Sequence, residues 1–154
     1  ASKLGSAGQP PLYSDTRIVD DNNRPLPAGV RGEICLRGPN IMKGYWNRPE
    51  ATASAIDGEG WFHSGDVGYF DADGFLFICD RLKDMVISGG ENVYPAEVEG
   101  ALYKHASIAE VAVIGLPDEK WGEAVTAVVA LHDGHNLTLE ELREFAQPLL
   151  ARRA

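Results

Sequence analysis

The stretch "RLKDMVISGGENVYP", residues 81–95, gathers several residue types able to act on a ligand. Arg81, Lys83 and Asp84 form a charged joint, and Met85, Val86 and Ile87 have the apolar, partly β-branched character of a short buried strand. Gly89-Gly90 then allow backbone angles or a close approach that any side chain would forbid, so the loop reads as a place where something passes near bare backbone. A tight strand-to-helix turn that needs two glycines is the competing explanation. A second group, "HSGD" at residues 63–66, sets His63 close to Asp66. No nucleophile or third partner completes a catalytic pattern there, and neither Ser64 nor Ser88 sits in a G-x-S-x-G elbow, which argues against a hydrolase. His132 and His135 flank Asp-Gly, a turn signal, with no third ligand in view, so no metal site is assigned. Cys35 and Cys79 are far apart and show no C-x-x-C spacing, which predicts buried free thiols in a reducing compartment.

The whole chain bounds what these groups can serve. At 154 residues with 44% hydrophobic content it is long and apolar enough to form one ordinary domain or two small ones. A net charge of −9 argues against nucleic acid or an anionic membrane as partner, because such binding needs clustered Lys and Arg. Any anionic ligand must therefore be held locally. The longest apolar run, "AVTAVVAL" at 124–131, is too short to span a bilayer, and no signal pattern opens the chain. A cytoplasmic protein without a transmembrane segment is the expectation.

The elements that must position these groups change character along the chain. Short β signals ("TRIVDD", "GEICLRG") alternate with turn-rich stretches, and "VGYFDADGFLFICD" reads as a hairpin turning at "DADG". Between them "NRPEATASAI" predicts a short helix, with Asn47 as cap and Pro49 in its first turn. After Lys83 the rhythm becomes strand, loop, helix over 95–104, two strands ("EVAVIGL", "EAVTAVVAL") and a last helix. That helix opens on Thr138 and Glu141 in capping-box spacing, carries Leu139, Leu142, Phe145 and Ala146 as its apolar stripe, and should stop or kink at Pro148. The fold class is α+β, with a boundary near residues 80–84.

Three long stretches occur in a characteristic order: "GEICLRGPNIMKGYWNRPEAT" (32–52), "WFHSGDVGYFDADGFL" (61–76) and "DRLKDMVISGGENVYPAEVE" (80–99). Together they resemble the acyl-CoA synthetases of the AMP-binding, adenylate-forming superfamily, which also holds luciferases and the adenylation domains of peptide synthetases. The resemblance runs from about residue 5 to about residue 146. It implies that residues 1–82 are the β-rich terminal subdomain of the AMP-binding domain and that 83–154 are a truncated C-terminal domain. The family's phosphate loop would precede this chain, and its catalytic lysine would lie beyond Ala154. No catalytic residue is therefore assigned within the chain, which by itself is expected to be inactive.

The resemblance also implies roles for particular residues. Asp66 matches the aspartate that binds the ribose hydroxyls of ATP, since one carboxylate can accept from both hydroxyls of a vicinal diol; otherwise it is an ordinary turn aspartate. Arg81 matches an arginine that reaches the same nucleotide, its alternative being a surface ion pair with Asp80 or Asp84. Lys83 matches the hinge about which the C-terminal domain rotates between half-reactions. Ser88, Gly89 and Gly90 resemble the loop that faces the CoA pantetheine arm, and Trp121 stands where related ligases set a tryptophan against CoA, unless it is a buried packing indole. Gly44, Tyr45 and Trp46 are typical of the family and read as structural. The implied activity is that of an AMP-forming ligase using ATP, CoA and Mg2+ on a fatty or aromatic carboxylic acid. Transfer to a carrier protein or to oxidation is one alternative, and a non-catalytic nucleotide-binding or interaction module is another.

Overall fold

The structure, a computed structural model, describes residues 3–150, and the chain divides into two compact units between Lys83 and Asp84. In the first unit, β1 (Asp15–Val19), β2 (Gly32–Arg37), β3 (Phe62–Phe70) and β4 (Leu76–Arg81) form one antiparallel sheet in chain order. Successive strand residues point to opposite faces, yet Ile18 and Val19 in β1 and Ile34 and Cys35 in β2 are all buried. Both faces of this part of the sheet are therefore covered, and burying each aliphatic side chain there stabilises it by about 1.5–3 kcal/mol. Trp61 closes the core beside Val19 and Cys35, with the Arg17 guanidinium 4.0 Å and the Arg37 guanidinium 4.4 Å from its ring centre. The β3–β4 hairpin turns where the sequence predicts. Asp71 Oδ1 accepts the N–H groups of Asp73 and Phe75, both at 2.9 Å, which ties the loop to a single side chain.

Helix α1 (Pro49–Ala55) begins on Pro49 as expected, but Asn47 does not cap it. Asn47 instead takes a left-handed turn conformation (φ +52°), and Arg48 occupies the cap position without a side-chain bond to the helix. Thr52 partly compensates, accepting the Tyr45 N–H and donating to the Arg48 carbonyl, each at 2.9 Å.

The second unit holds β5 (Val86–Ser88), β6 (Glu91–Val93), β7 (Ile108–Asp118) and β8 (Gly122–Leu131) in the order β6-β5-β8-β7, all neighbours antiparallel. Strand β6 has no counterpart in the sequence reading. Gly89 (φ +61°) and Gly90 (φ +86°) are the two central residues of a tight hairpin, the positive-φ pairing that matches the twist of the strands on either side. The glycine pair thus turns strand to strand, and helix α2 (Pro95–Leu102) starts only after β6. Leu102 of α2 packs with Ile108, Val111 and Val113 of β7, and Leu142 and Ala146 of helix α3 (Leu139–Leu150) complete that cluster.

The capping box of α3 forms as read, with Glu141 Oε2 accepting the Thr138 N–H at 2.8 Å and Thr138 Oγ1 accepting the Glu141 N–H at 3.3 Å. These bonds from Thr138 hold the Glu141 carboxyl below the usual carboxylate range. Pro148 neither stops nor ends α3, which continues to Leu150.

Candidate functional site

The residues singled out from the sequence fall into two sets, one in each unit. In the first unit, Asp66 and Arg81 are register partners across β3 and β4, and Arg81 Nε lies 3.1 Å from Asp66 Oδ1. Asp80, next to Arg81 in the chain, accepts its backbone N–H at 2.8 Å through Oδ1. The Asp66 side chain is 30% and the Arg81 side chain 61% exposed, so the pair stays within reach of a ligand. A carboxylate beside a planar guanidinium offers acceptors and donors together, which suits a sugar bearing hydroxyls next to a phosphate.

The strand bends to present this pair. Against β2, Glu33 opposes Val67 while Cys35 opposes His63, so Ser64, Gly65 and Asp66 bulge out opposite Ile34. Against β4 the register slips again between Val67 and Gly68. Gly65 accommodates the bend with a positive φ of +71°. Glu33 Oε1 accepts the Gly65 N–H at 3.1 Å and Glu33 Oε2 lies 2.7 Å from His63 Nδ1, while Ser64 Oγ accepts the Asp66 N–H at 3.0 Å. An ionised carboxylate only accepts, so His63 Nδ1 carries the proton.

Glu33, Cys35 and His63 offer ligand atoms within 4.8 Å of one another, a spacing that a metal ion can use. Here Glu33 and His63 bond directly to each other, Cys35 Sγ lies 3.5 Å from His63 Nδ1, and burial together with the nearby Glu33 charge pushes the Cys35 thiol up to about 11. Neither cysteine forms a disulfide; Cys35 is buried as expected, whereas Cys79 is only half-buried.

In the second unit the hairpin and the tryptophan meet. Ser88 pairs with Gly122 across β5 and β8, and the Gly89 N–H donates to the Trp121 carbonyl at 2.8 Å. The indole lies on the glycine itself: a Cβ built on Gly89 would stand 2.8 Å from Trp121 Cε3. Trp121 is 49% exposed, so it is no buried packing residue, and Lys120 Nζ sits 4.4 Å from its ring centre. Asp118 Oδ1 shapes this loop by accepting the Lys120 and Trp121 N–H groups at 2.9 Å, and Glu123 Oε2 anchors β5 by accepting the Ile87 N–H at 2.7 Å. An exposed aromatic face, bare glycine backbone and a cation are thereby set side by side. Gly90, the other turn residue, has open space around it.

Lys83 lies in the 3-10 turn Leu82–Asp84, exposed, and belongs to neither set. Gly44 is wedged against Thr52, but Trp46 is 89% exposed and lines, with Lys43, Tyr45, Pro49 and Ile56, a concavity of about 660 Å³ apart from both sets. Sequence reasoning weighed Ser64 only as a nucleophile and missed Glu33 and Glu123; the three bond to backbone of a bulge or of a distant strand. The spacing of acidic residues carries no signal for such bonds.

Residues 1–46 match the AMP-binding enzyme family and residues 97–152 match the AMP-binding enzyme C-terminal domain. The chain is 52% identical over 151 residues to a feruloyl-CoA synthase from Amycolatopsis, a match covering 98% of this chain and 30% of that protein. It is 50% identical over 151 residues to a 2-succinylbenzoate–CoA ligase from Geobacillus, again over 98% of this chain and 30% of the relative. Among solved structures it superposes with a TM-score of 0.86, at 42% identity, on the o-succinylbenzoate CoA synthetase of Bacillus subtilis in complex with its acyl-adenylate intermediate, covering 95% of this chain and 29% of that one. An amide bond synthetase from Marinactinospora thermotolerans gives a TM-score of 0.83 at 42% identity over 94% of this chain and 30% of its own. The chain belongs to the AMP-binding enzymes, with their α+β fold, and spans about 30% of the length of these two curated relatives.

Proposed function

We propose that this chain is the C-terminal portion of an AMP-forming acyl-CoA ligase acting in the cytoplasm on an aromatic or fatty carboxylic acid. The single observation that carries the reading furthest is the Asp66–Arg81 pair, 3.1 Å apart across the bulged β3 and β4 and left open to solvent. In the first half-reaction the acid's carboxylate oxygen attacks the α-phosphorus of ATP, and pyrophosphate leaves. Asp66 accepts hydrogen bonds from the ribose hydroxyls, and Arg81 donates to the nucleotide's oxygens, which fixes the nucleotide for in-line attack. Mg2+ enters with the ATP phosphates, and no residue of this chain is assigned to it. In the second half-reaction the CoA sulfur attacks the acyl carbonyl and AMP leaves. The open Gly90 side of the turn then lets the slender thiol arm pass against bare backbone, with Trp121, seated on Gly89, as an apolar wall and Lys120 as a nearby cation. Residues 1–82 act as the end of the AMP-binding domain, 83–154 as part of the C-terminal domain, and Lys83 as the hinge.

Membership of the family and the CoA ligase names of the relatives support this reading. No helix among the described residues is long and apolar enough to cross a membrane. The test is pyrophosphate release and thioester formation by the complete enzyme across aromatic and fatty acids. Asp66→Ala should lose both steps, and Gly90→Trp should keep pyrophosphate release but lose thioester. Adenylate formation without acylation of CoA by the wild type would move the reading to another acceptor, such as a carrier protein or an amine, or to oxidation. Nucleotide binding without pyrophosphate release would leave a binding module.

A further inference from the structure

We infer that Glu33 is a positioning residue for Asp66, acting through the bulge of β3. The inference rests on the reading of Asp66 as the acceptor for the nucleotide sugar.

Bulging removes the Gly65 N–H from the ladder with β2, where Ile34 alone faces Ser64, Gly65 and Asp66. A partly buried N–H without an acceptor is unfavourable, so an unsatisfied bulge would tend to relax back into register. One carboxylate prevents this. Glu33 Oε1 takes the Gly65 N–H at 3.1 Å while Oε2 takes His63 Nδ1 at 2.7 Å, so the two oxygens grip the strand on both sides of Ser64. Ser64 Oγ, held between them, accepts the Asp66 N–H at 3.0 Å, which sets where the Asp66 side chain leaves the strand. Asp57 braces the far side of the ring, its Oδ2 lying 3.8 Å from His63 Nε2. The Glu33 and His63 side chains are 18% and 23% exposed, so water competes weakly for these bonds. Loosening the grip leaves Asp66 present but frees its direction, and a ligand bond that depends on alignment weakens.

The experiment uses the complete enzyme with Glu33→Ala, Glu33→Gln and Asp66→Ala. Two quantities are read: the ratio of affinities for ATP and 2′,3′-dideoxy-ATP by calorimetry, and hydrogen exchange of the peptide spanning 62–67 by mass spectrometry. Glu33→Ala should lower the ratio roughly tenfold, the fold-change of one aligned hydrogen bond to a charged group, and speed exchange in that peptide above the rest of β3. Glu33→Gln keeps one acceptor, for the Gly65 N–H, but loses the one that takes His63 Nδ1, so it should recover part of the ratio and stay severalfold below wild type, a graded rescue that a general loss of packing would not give. Where Glu33→Ala does not fold, Glu33→Gln carries the test, with a severalfold loss expected. A wild-type ratio in the Glu33 variants beside a collapsed ratio in Asp66→Ala overturns the inference. An unchanged ratio in Asp66→Ala overturns instead the sugar-binding reading, and unchanged exchange over 62–67 in Glu33→Ala overturns the grip itself whatever Asp66 does.

Discussion

Replacing Gly89 by alanine drives a methyl group into the face of Trp121. Two costs arise and can be separated. The backbone at Gly89 has φ +61°, and an L-residue there costs about 1–2 kcal/mol. Gly90, at φ +86°, carries the same backbone cost but has nothing within 4 Å of a new Cβ, so Gly90→Ala measures that cost alone. At Gly89 the new Cβ would lie 2.8 Å from Trp121 Cε3, closer than real Cβ atoms come, and 3.1 Å from Cζ3, itself a tight contact. The ring is half exposed and can swing outward, so the added cost lies at the low end of overpacking, about 1 kcal/mol. Gly89→Ala should therefore destabilise the chain by about 1 kcal/mol more than Gly90→Ala in urea denaturation. The excess should vanish to within about 0.5 kcal/mol when both changes are made in a Trp121→Ala background. Tryptophan emission of Gly89→Ala should also shift to the red as the indole enters water. Equal costs for the two glycines, or an excess that survives removal of Trp121, would refute the contact.

Three further outcomes follow from the same reasoning. Arg81→Ala removes a largely exposed ion pair and should change stability by less than about 1 kcal/mol, while calorimetry of the complete enzyme should show ATP affinity falling roughly tenfold; unchanged affinity would remove Arg81 from the site. Thr138→Ala breaks the capping box of α3 and should cost about 1 kcal/mol by denaturation, and a neutral result would mean that the helix end frays in solution. The Cys35 thiol is raised by burial from 9.0 to about 11, so folding favours its protonated form. That contribution is complete below pH 9 and is lost as pH rises toward about 11, a decline that the denaturation midpoint should show and Cys35→Ser should lack.

The order of elements was legible because it depends on neighbours along the chain. Short β-forming runs between turn-rich stretches marked β1 and β2, Asp71 through Gly74 marked the β3–β4 turn, and Thr138 with Glu141 marked the start of α3. Local signals failed where a local preference had a rival. Asn47 can cap a helix but also tolerates a left-handed turn, which it adopts. Pro148 weakens a helix, yet α3 continues through it to Leu150. The pair Gly89-Gly90 announced a turn, and the strand it leads into, only three residues long, was too short to register as a periodic pattern.

The candidate groups divide in the same way. Asp66, Arg81, Gly89 and Trp121 stand out by residue type and motif, and those choices needed no coordinates. That Arg81 pairs with Asp66, that Trp121 covers Gly89 while staying half exposed, and that Glu33 grips both sides of Ser64 were settled only by the fold. Side-chain type and turn chemistry are properties of adjacent residues and can be read one stretch at a time. Strand register, a bulge and a carboxylate that reaches a distant backbone N–H depend on which strands lie side by side, and that is decided by burial of the whole sheet at once.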